Sequence, residues 1–447
     1  MSIKRILAVA LAIAVSDPLG PSGATAQSPA HANNGDPVLA ALIAEALEGN
    51  PRVRGALSEV QAARARVPQA AALPNPMVAF TQHLRGPQTR VGPQTSGVSL
   101  SQAFPWFGTL SDRRDIAEAE AENRSEAYRE QRAEVVRQVK LAYYDLAYLD
   151  EALRITGEEE QLLLHYEALA RARYSQGFGQ QQAVLKLQAE VTRVLSRRRE
   201  LLQQRTDFEA GLNILANRPV DAPIPTIEIG ERPAASVDDE QLRAAGLGAR
   251  PEVRSARLRI ESNERAMRLA GRRYRPDFSI GLAWGSVLDR RDDPGRSDPP
   301  PDNGRDTYSL TLGASIPVFR SSYDAGMREA AARLSAAEEG YRDAVNEVAF
   351  AVRSTAFRLT TIEGQLALFE RALLPQAEQA LRATEEAYSA GVTGVLELLD
   401  SESVLLDVRL GLARMRADYM KALADMERAI GSPFPEEGAS SPGEEGS

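Results

Sequence analysis

The sequence predicts a mainly α-helical chain that carries a membrane β-barrel, and three observations lead there. The 447 residues read as two copies of one unit, each copy holds a helix too long for a globular core, and each holds two short strands with unlike faces. Asn50-Pro51-Arg52-Val53 recurs as Arg250-Pro251-Glu252-Val253, and Pro76 as Pro276, both 200 positions on. Phe104-Pro105-Trp106-Phe107 recurs as Ile316-Pro317-Val318-Phe319 at 212, and Tyr174-Ser175-Gln176-Gly177 as Tyr388-Ser389-Ala390-Gly391 at 214. The order is kept and the offset drifts as small loop insertions would make it, so the chain reads as a duplication.

At the N-terminus, Lys4 and Arg5 precede an apolar run from Ile6 to Val15, and the small residues Ala24-Thr25-Ala26 follow. Residues 1–26 read as a secretory signal peptide cut after Ala26. A membrane anchor needs about 20 apolar residues, twice this run. The chain has no cysteine, which excludes a disulfide framework and a lipid-carrying N-terminal cysteine. Losing Lys4, Arg5 and Asp17 with the signal moves the formal net charge from −9 to −10, an acidic balance that argues against nucleic acid as a partner. No later stretch is apolar enough for a transmembrane helix, so membrane entry requires a closed β-barrel.

The remainder divides into repeat one over 36–219, a Pro-rich linker over 220–237, repeat two over 238–433 and a disordered acidic tail over 434–447. Each repeat opens with a half-length helix, Asp36 to Ala72 and Asp238 to Arg273. The long helices, Asp112 to Arg173 and Asp324 to Ala387, are rich in Ala, Glu, Arg and Leu and would each extend roughly 95 Å. Val345, Val348, Val352, Thr355, Leu359, Ile362, Leu366, Phe369 and Leu373 keep a 3-4 spacing, with Val135, Val139, Ala142, Leu146, Leu149 and Leu153 in the equivalent places. That is a coiled-coil seam. Pro375 costs about 3 kcal/mol in a straight helix, so a local kink is expected there. Return helices run from Gln180 to Ala216 and from Val395 to Ile430. Two half-length helices end to end cover one long helix, which predicts a tall cylinder wall of paired rods.

Between half-helix and long helix lie the strands. Phe278, Ile280, Leu282 and Trp284 alternate with small residues, as do Tyr308, Leu310, Leu312, Ala314 and Ile316. Val78, Phe80, Gln82 and Leu84, then Val98, Leu100, Gln102 and Phe104, follow the same period with polar interruptions. Each strand is long enough to cross an outer membrane when tilted, or to form a soluble half-buried sheet. The loop from Val287 to Asp306, with 10 charged residues and 4 prolines, favours the membrane reading because it suits a solvated exterior. Four strands cannot close a barrel, since the smallest have about eight. Three copies would pool twelve, with the helices continuing below as a coiled-coil α-helical barrel.

Nearly the whole mature chain resembles the TolC-like outer-membrane factor family, in the duplicated order of elements and in the turns Arg173-Tyr174-Ser175-x-Gly177 and Ala387-Tyr388-Ser389-x-Gly391. The resemblance implies a homotrimer with a 12-stranded barrel in outer-membrane lipid and a tunnel reaching into the periplasm. Its partners would be a periplasmic adaptor and an inner-membrane pump of an RND-type efflux or secretion system. It implies a passive conduit that is not an enzyme and has no cofactor. It places Tyr174, Ser175, Gly177, Tyr388, Ser389 and Gly391 at the periplasmic tips where the adaptor docks. It also places Glu397 and Asp400, three residues apart on one helix face, at the tunnel's constriction as two rings of carboxylates. At the offset of 214 the first copy has Ala183 and Lys186 instead. Closure in the family uses a tyrosine-arginine-aspartate link. Tyr388 is present, but Thr393 and Ala183 occupy the other two places, so the same lock is in doubt.

A narrower resemblance, to the heavy-metal efflux branch, rests on Leu73-Pro74-Asn75-Pro76-Met77, Ser101-Gln102-Ala103-Phe104-Pro105-Trp106-Phe107-Gly108 and Leu374-Pro375-Gln376-Ala377. No metal site follows, because His31, His83 and His165 are the only histidines and the methionines lack ligand spacing. His83, near Met77, reads as lining or loop, and any metal preference would belong to the pump. The alternative of a periplasmic adaptor scaffold would show one helical hairpin flanked by soluble β-domains. An enzyme would need a nucleophile or carboxylate pair in a pocket, and the sequence has no His-Glu-x-x-His, Gly-x-Ser-x-Gly or phosphate loop. The many Glu and Arg residues read as solvated helix faces.

Overall fold

The computed structural model describes residues 36–230 and 238–434. The signal peptide, the end of the linker at 231–237 and the tail beyond Phe434 lie outside the described residues. Asp36 starts α1 (Pro37–Gly49) by accepting from the backbone N–H of Val38 and Leu39, the N-cap role of a short acidic side chain. The single helix expected over 36–72 is instead two, α1 and α2 (Pro51–Ala71), and the one expected over 238–273 is α5 (Asp239–Ala249) and α6 (Pro251–Arg272). Proline causes both breaks. It pushes the residue before it out of the helical region, and Asn50 (ψ 124°) and Arg250 (ψ 127°) are extended. Each proline then starts the next helix, where its missing N–H costs nothing. Asn50 exploits the break: its Oδ1 caps α2 at Arg52 N (2.9 Å) and its Nδ2 donates to Leu215 O (2.8 Å).

The first long helix, α3 (Thr109–Ser175), runs 67 residues without interruption, about 100 Å at 1.5 Å per residue. Its return is α4 (Gln181–Leu215). The second long rod is α8 (Arg320–Leu368) and α9 (Leu374–Ser389), joined by one π-helical turn at Phe369–Leu373. The expected kink at Pro375 takes this form. Proline has no N–H and crowds the carbonyl four residues back, and the wider turn leaves Pro375 in the first turn of α9. Its return is α10 (Val395–Ile430).

Helix α3 packs against α2, α4, α6 and α10, and α8 against α5, α6 and α10. The seam holds: Val135, Val139, Leu146, Leu149, Val348, Val352, Leu359 and Leu366 are buried. All but Leu149 join a core that includes Leu39, Leu212, Tyr419 and Met426, each fully buried large side chain contributing about 1.5–3 kcal/mol. A separate apolar cluster, with Leu163, Leu187, Leu381, Tyr388 and Leu398, sits toward the helical tips.

The strands are β1 (Met77–Gln82), β2 (Gln88–Thr89), β3 (Gly92–Phe104), β4 (Phe278–Val287) and β5 (Thr307–Ala314). They form an antiparallel sheet in the order β1-β3-β4-β5, with β2 on the far end of β3. Edges β1 and β5 stay open. Leu84 and Ile316, expected within strands, fall outside them; Leu84 has turned fully to solvent after β1. The charged loop after β4 carries the short helix α7 (Asp293–Ser297) and is pinned to the β2–β3 hairpin. Gly304 N donates to Val91 O (2.8 Å), Leu288 N to Pro93 O (2.9 Å), and Arg90 pairs with Asp302 (2.6 Å). Gly92 (φ 128°) permits this approach, since a Cβ there would stand 1.7 Å from the Leu288 carbonyl oxygen.

Candidate functional site

Register decides what the sheet offers its surroundings. Val78 pairs with Leu100, Leu100 with Leu282 and Leu282 with Leu310. Phe80 pairs with Val98, Val98 with Trp284 and Trp284 with Tyr308. Partners across antiparallel strands point the same way, so these side chains gather on one face. All but half-buried Trp284 are left bare, from 40% exposure at Val98 to 81% at Tyr308. The other face presents Ser99, Ser101, Ser279, Gly281, Ser309 and Thr311, all small or polar. A continuous bare apolar face of this kind suits hydrocarbon, while its reverse suits water. Aromatic rings stand at both ends of the apolar band. Trp284 and Tyr308 lie at the loop end, and Trp106 packs on Phe278 (5.8 Å) and Phe107 (5.7 Å) at the helix end, with Arg275 over its ring at 5.9 Å. Such girdles mark membrane interfaces.

At the opposite end of the rods, both Tyr-Ser-x-Gly turns close in the same way. Phe178 N donates to Arg173 O (3.0 Å) and Gly177 N to Tyr174 O (3.0 Å); Val392 N donates to Ala387 O (2.9 Å) and Gly391 N to Tyr388 O (3.0 Å). These are Schellman caps, and Gly177 (φ 82°) and Gly391 (φ 73°) take the left-handed position they require. The residue after each glycine projects bare into solvent, Phe178 at 86% and Val392 at 81% exposure. Tyr174 and Ser175 are exposed, whereas Tyr388 is buried.

Tyr388 has a partner that the sequence reading missed. That partner is Arg173, from the other tip. Its Nη1 donates to Tyr388 O and its Nη2 to Ser389 O, both at 2.6 Å, and the guanidinium lies over the Tyr388 ring at 4.7 Å. The two carbonyls are at the C-terminal end of α9, where the helix dipole favours a cation. The signal available in the sequence was the arginine itself, since the position 214 residues on holds Ala387.

Glu397 and Asp400 both lie exposed on the first turns of α10, opposite buried Val395 and Leu398. Ala183 and Lys186 occupy the matching stretch of α4, half-buried. His83 follows β1 with its N–H bonded to Thr95 O, and His165 is exposed on α3 beside Tyr166; His31 lies outside the described residues. No group of three or more His, Cys, Asp or Glu able to hold a metal occurs among the described residues. The expectation that the charged residues are all solvated needs correction. Lys140 pairs with Glu427 (2.5 Å), Asp150 with Arg205 (2.5 Å) and Asp112 with Arg272, and in each pair at least one side chain is buried. Rods packed on several sides enclose part of every face, and these ion pairs are how the enclosed charges are matched.

The family described as outer membrane efflux protein matches residues 42–218 and 244–432, and the chain belongs to it. The outer membrane protein TolC of Vibrio cholerae serotype O1 is 27% identical over 171 residues, 38% of this chain and 32% of TolC, so that match spans about a third of the relative's length. The toluene efflux pump outer membrane protein TtgI of Pseudomonas putida is 24% identical over 427 residues, 89% of this chain and 85% of TtgI. The crystal structure of the outer membrane protein VceC from Vibrio cholerae superposes with a TM-score of 0.74 at 19% identity, covering 89% of this chain and 97% of VceC. The chain is an outer membrane protein of the efflux type, and not an enzyme.

Proposed function

We propose that this member of the outer membrane efflux protein family is the outer-membrane channel of a tripartite efflux or secretion system of RND type, a passive homotrimeric conduit from periplasm to exterior. The observation that carries the reading is the sheet: one face bare and apolar, the other small and polar, with two open edges. Open edges are not tolerated in lipid. Three protomers would supply twelve main strands and close them into a barrel. The two matched segments of the chain are read as two copies of one repeat, 36–219 and 238–433, whose rods build the tunnel wall.

At the lower end, Glu397 and Asp400 would form two stacked rings of three carboxylates. Rings of like charge attract cations and repel anions. The tip turns, with Tyr174, Ser175, Gly177, Tyr388, Ser389 and Gly391, would receive the periplasmic adaptor, and bare Phe178 and Val392 give them apolar contact surface. The inner-membrane pump, standing beyond the adaptor, would choose the cargo. The resemblance to heavy-metal efflux members makes metal cations one such cargo, while the relative TtgI is named for toluene efflux. The adaptor alternative falls with the family match. Light scattering of the detergent-extracted protein should give three protomers per particle, and a stable folded monomer would overturn the proposal.

A further inference from the structure

Behind the tips, α3, α4, α9 and α10 enclose a group of charged side chains that conduction leaves without a role. Glu159 of α3 and Glu402 of α10 are each 5% exposed, and Glu402 follows Asp400 by two positions on the helix that bears the ring acids. At 1.5 Å per residue they stand roughly 10–25 Å from the tips. Glu159 Oε2 is buried without a hydrogen-bond partner, and so is the hydroxyl of Thr156, fully enclosed one turn away on the same face of α3. The nearest cation is Arg197 of α4, 3.7 Å from Glu159 Oε2, and its Nη1 is likewise buried and unbonded. Glu190 on α4 and Asp407 on α10 add negative charge to both glutamates or to their surroundings. On the tip side, Tyr166 of α3 donates to Glu385 of α9 and feels the charge of Glu402. Of the other arginines on this stretch of α4, Arg193 is already bonded to Glu190 and Arg198 to Glu160 (3.1 Å). One incompletely bonded arginine therefore faces two enclosed carboxylates with further acids around them, and both cannot stay ionised without strong mutual repulsion.

We propose that Glu159 and Glu402 form a proton-binding site that fastens α10 to α3 just behind the tips, and that loss of its proton loosens this end of the molecule. Burial is the main cause that pushes Glu402 up to about 8, with the charge of Glu159 adding to it. Burial likewise pushes Glu159 up to about 7, against the lowering effect of Arg197. The sign follows from linkage. A carboxyl whose folded pKa lies above its unfolded value of about 4.3 holds its proton more tightly when folded. Its contribution is complete below that unfolded value and is lost as pH rises through 7 to 8. Protonation also removes one of the two repelling charges and turns a carboxylate oxygen into an O–H donor.

The fastening stands on the packing of the helices, and only its consequence for conduction rests on the channel reading. The test is hydrogen exchange of the full-length protein in detergent at pH 6 and pH 9, corrected for the intrinsic pH dependence of exchange. Protection of 156–166 and 398–407 should fall on the order of tenfold between the two in the wild type and stay constant in Glu159→Gln/Glu402→Gln. Protection at 135–146 should not change in either. Constant protection in the wild type, an equal fall in the variant, or a fall spread over the whole helical body would each overturn the proposal. Failure of the double variant to assemble would overturn it too, because glutamine reproduces the shape and donor of the protonated side chain. A protein that conducts at no pH would overturn the channel reading and leave the exchange result standing.

Discussion

The tip of the first half ends on α3, one unbroken rod, and carries Arg173; the tip of the second half ends on α9, set off from α8 by a π turn, and carries Ala387 in the matching place. After the turn the charges reverse, with Ala183 and Lys186 on α4 against Glu397 and Asp400 on α10. The backbone caps are the same in both, down to the paired hydrogen bonds and the left-handed glycine. Backbone geometry is the same where the chain must reverse direction, and side-chain chemistry differs where the two tips meet. The first half supplies the hand that holds, and the second supplies the acids and the interrupted rod.

Removing the hand should have the largest effect. Arg173→Ala deletes two charge-assisted hydrogen bonds and a cation–π contact, worth together about 2 kcal/mol at a partly exposed site. The tip-opening equilibrium should shift roughly thirtyfold, read as faster exchange at 385–395 and higher conductance in planar bilayers. Arg173→Lys should recover only part of this, since a point charge cannot span both carbonyls. Unchanged exchange in the alanine variant would remove Arg173 from the lock.

Breaking the shared element should hit both tips equally. Gly177→Ala and Gly391→Ala each force a side chain into the left-handed region at a cost of about 1–2 kcal/mol. Neither position meets a neighbouring atom, so the cost is conformational alone. Local exchange at the mutated tip checks this, and a clear difference between the two variants would show that the caps are not equivalent. The smallest structural effect is expected from Glu397→Ala/Asp400→Ala, because both side chains are exposed. Assembly and thermal stability should stay within about 0.5 kcal/mol of wild type, while cation selectivity and block by multivalent cations fall in bilayer recordings. A well-assembled double variant with wild-type selectivity would exclude the ring.

Long-period features were legible in the sequence because they repeat. The seam over Val345 to Leu373, the return helix Val395 to Ile430 and the alternation of Phe278 to Trp284 each carry a period that burial and pairing then display. Local backbone chemistry was present but overlooked at Pro51 and Pro251, which split the half-length helices as proline physics requires. Two things depend on juxtaposition and had no local signal. Arg173 meets Tyr388 across 215 positions, and Glu159 becomes enclosed only when α4 and α10 close over it. On a single helix both look like ordinary solvated charges.

If the proposed channel holds, the bare face of the sheet also implies an order of events in the life of the chain. The helical body carries its own apolar core and can be completed in water. In the proposed channel the strands could not, for they would need a neighbour at each open edge and hydrocarbon against Leu282, Tyr308 and Leu310. Before insertion, on that reading, each protomer would be a finished stalk bearing an unfinished crown. Whatever escorts it across that interval must shield the crown and can leave the stalk alone.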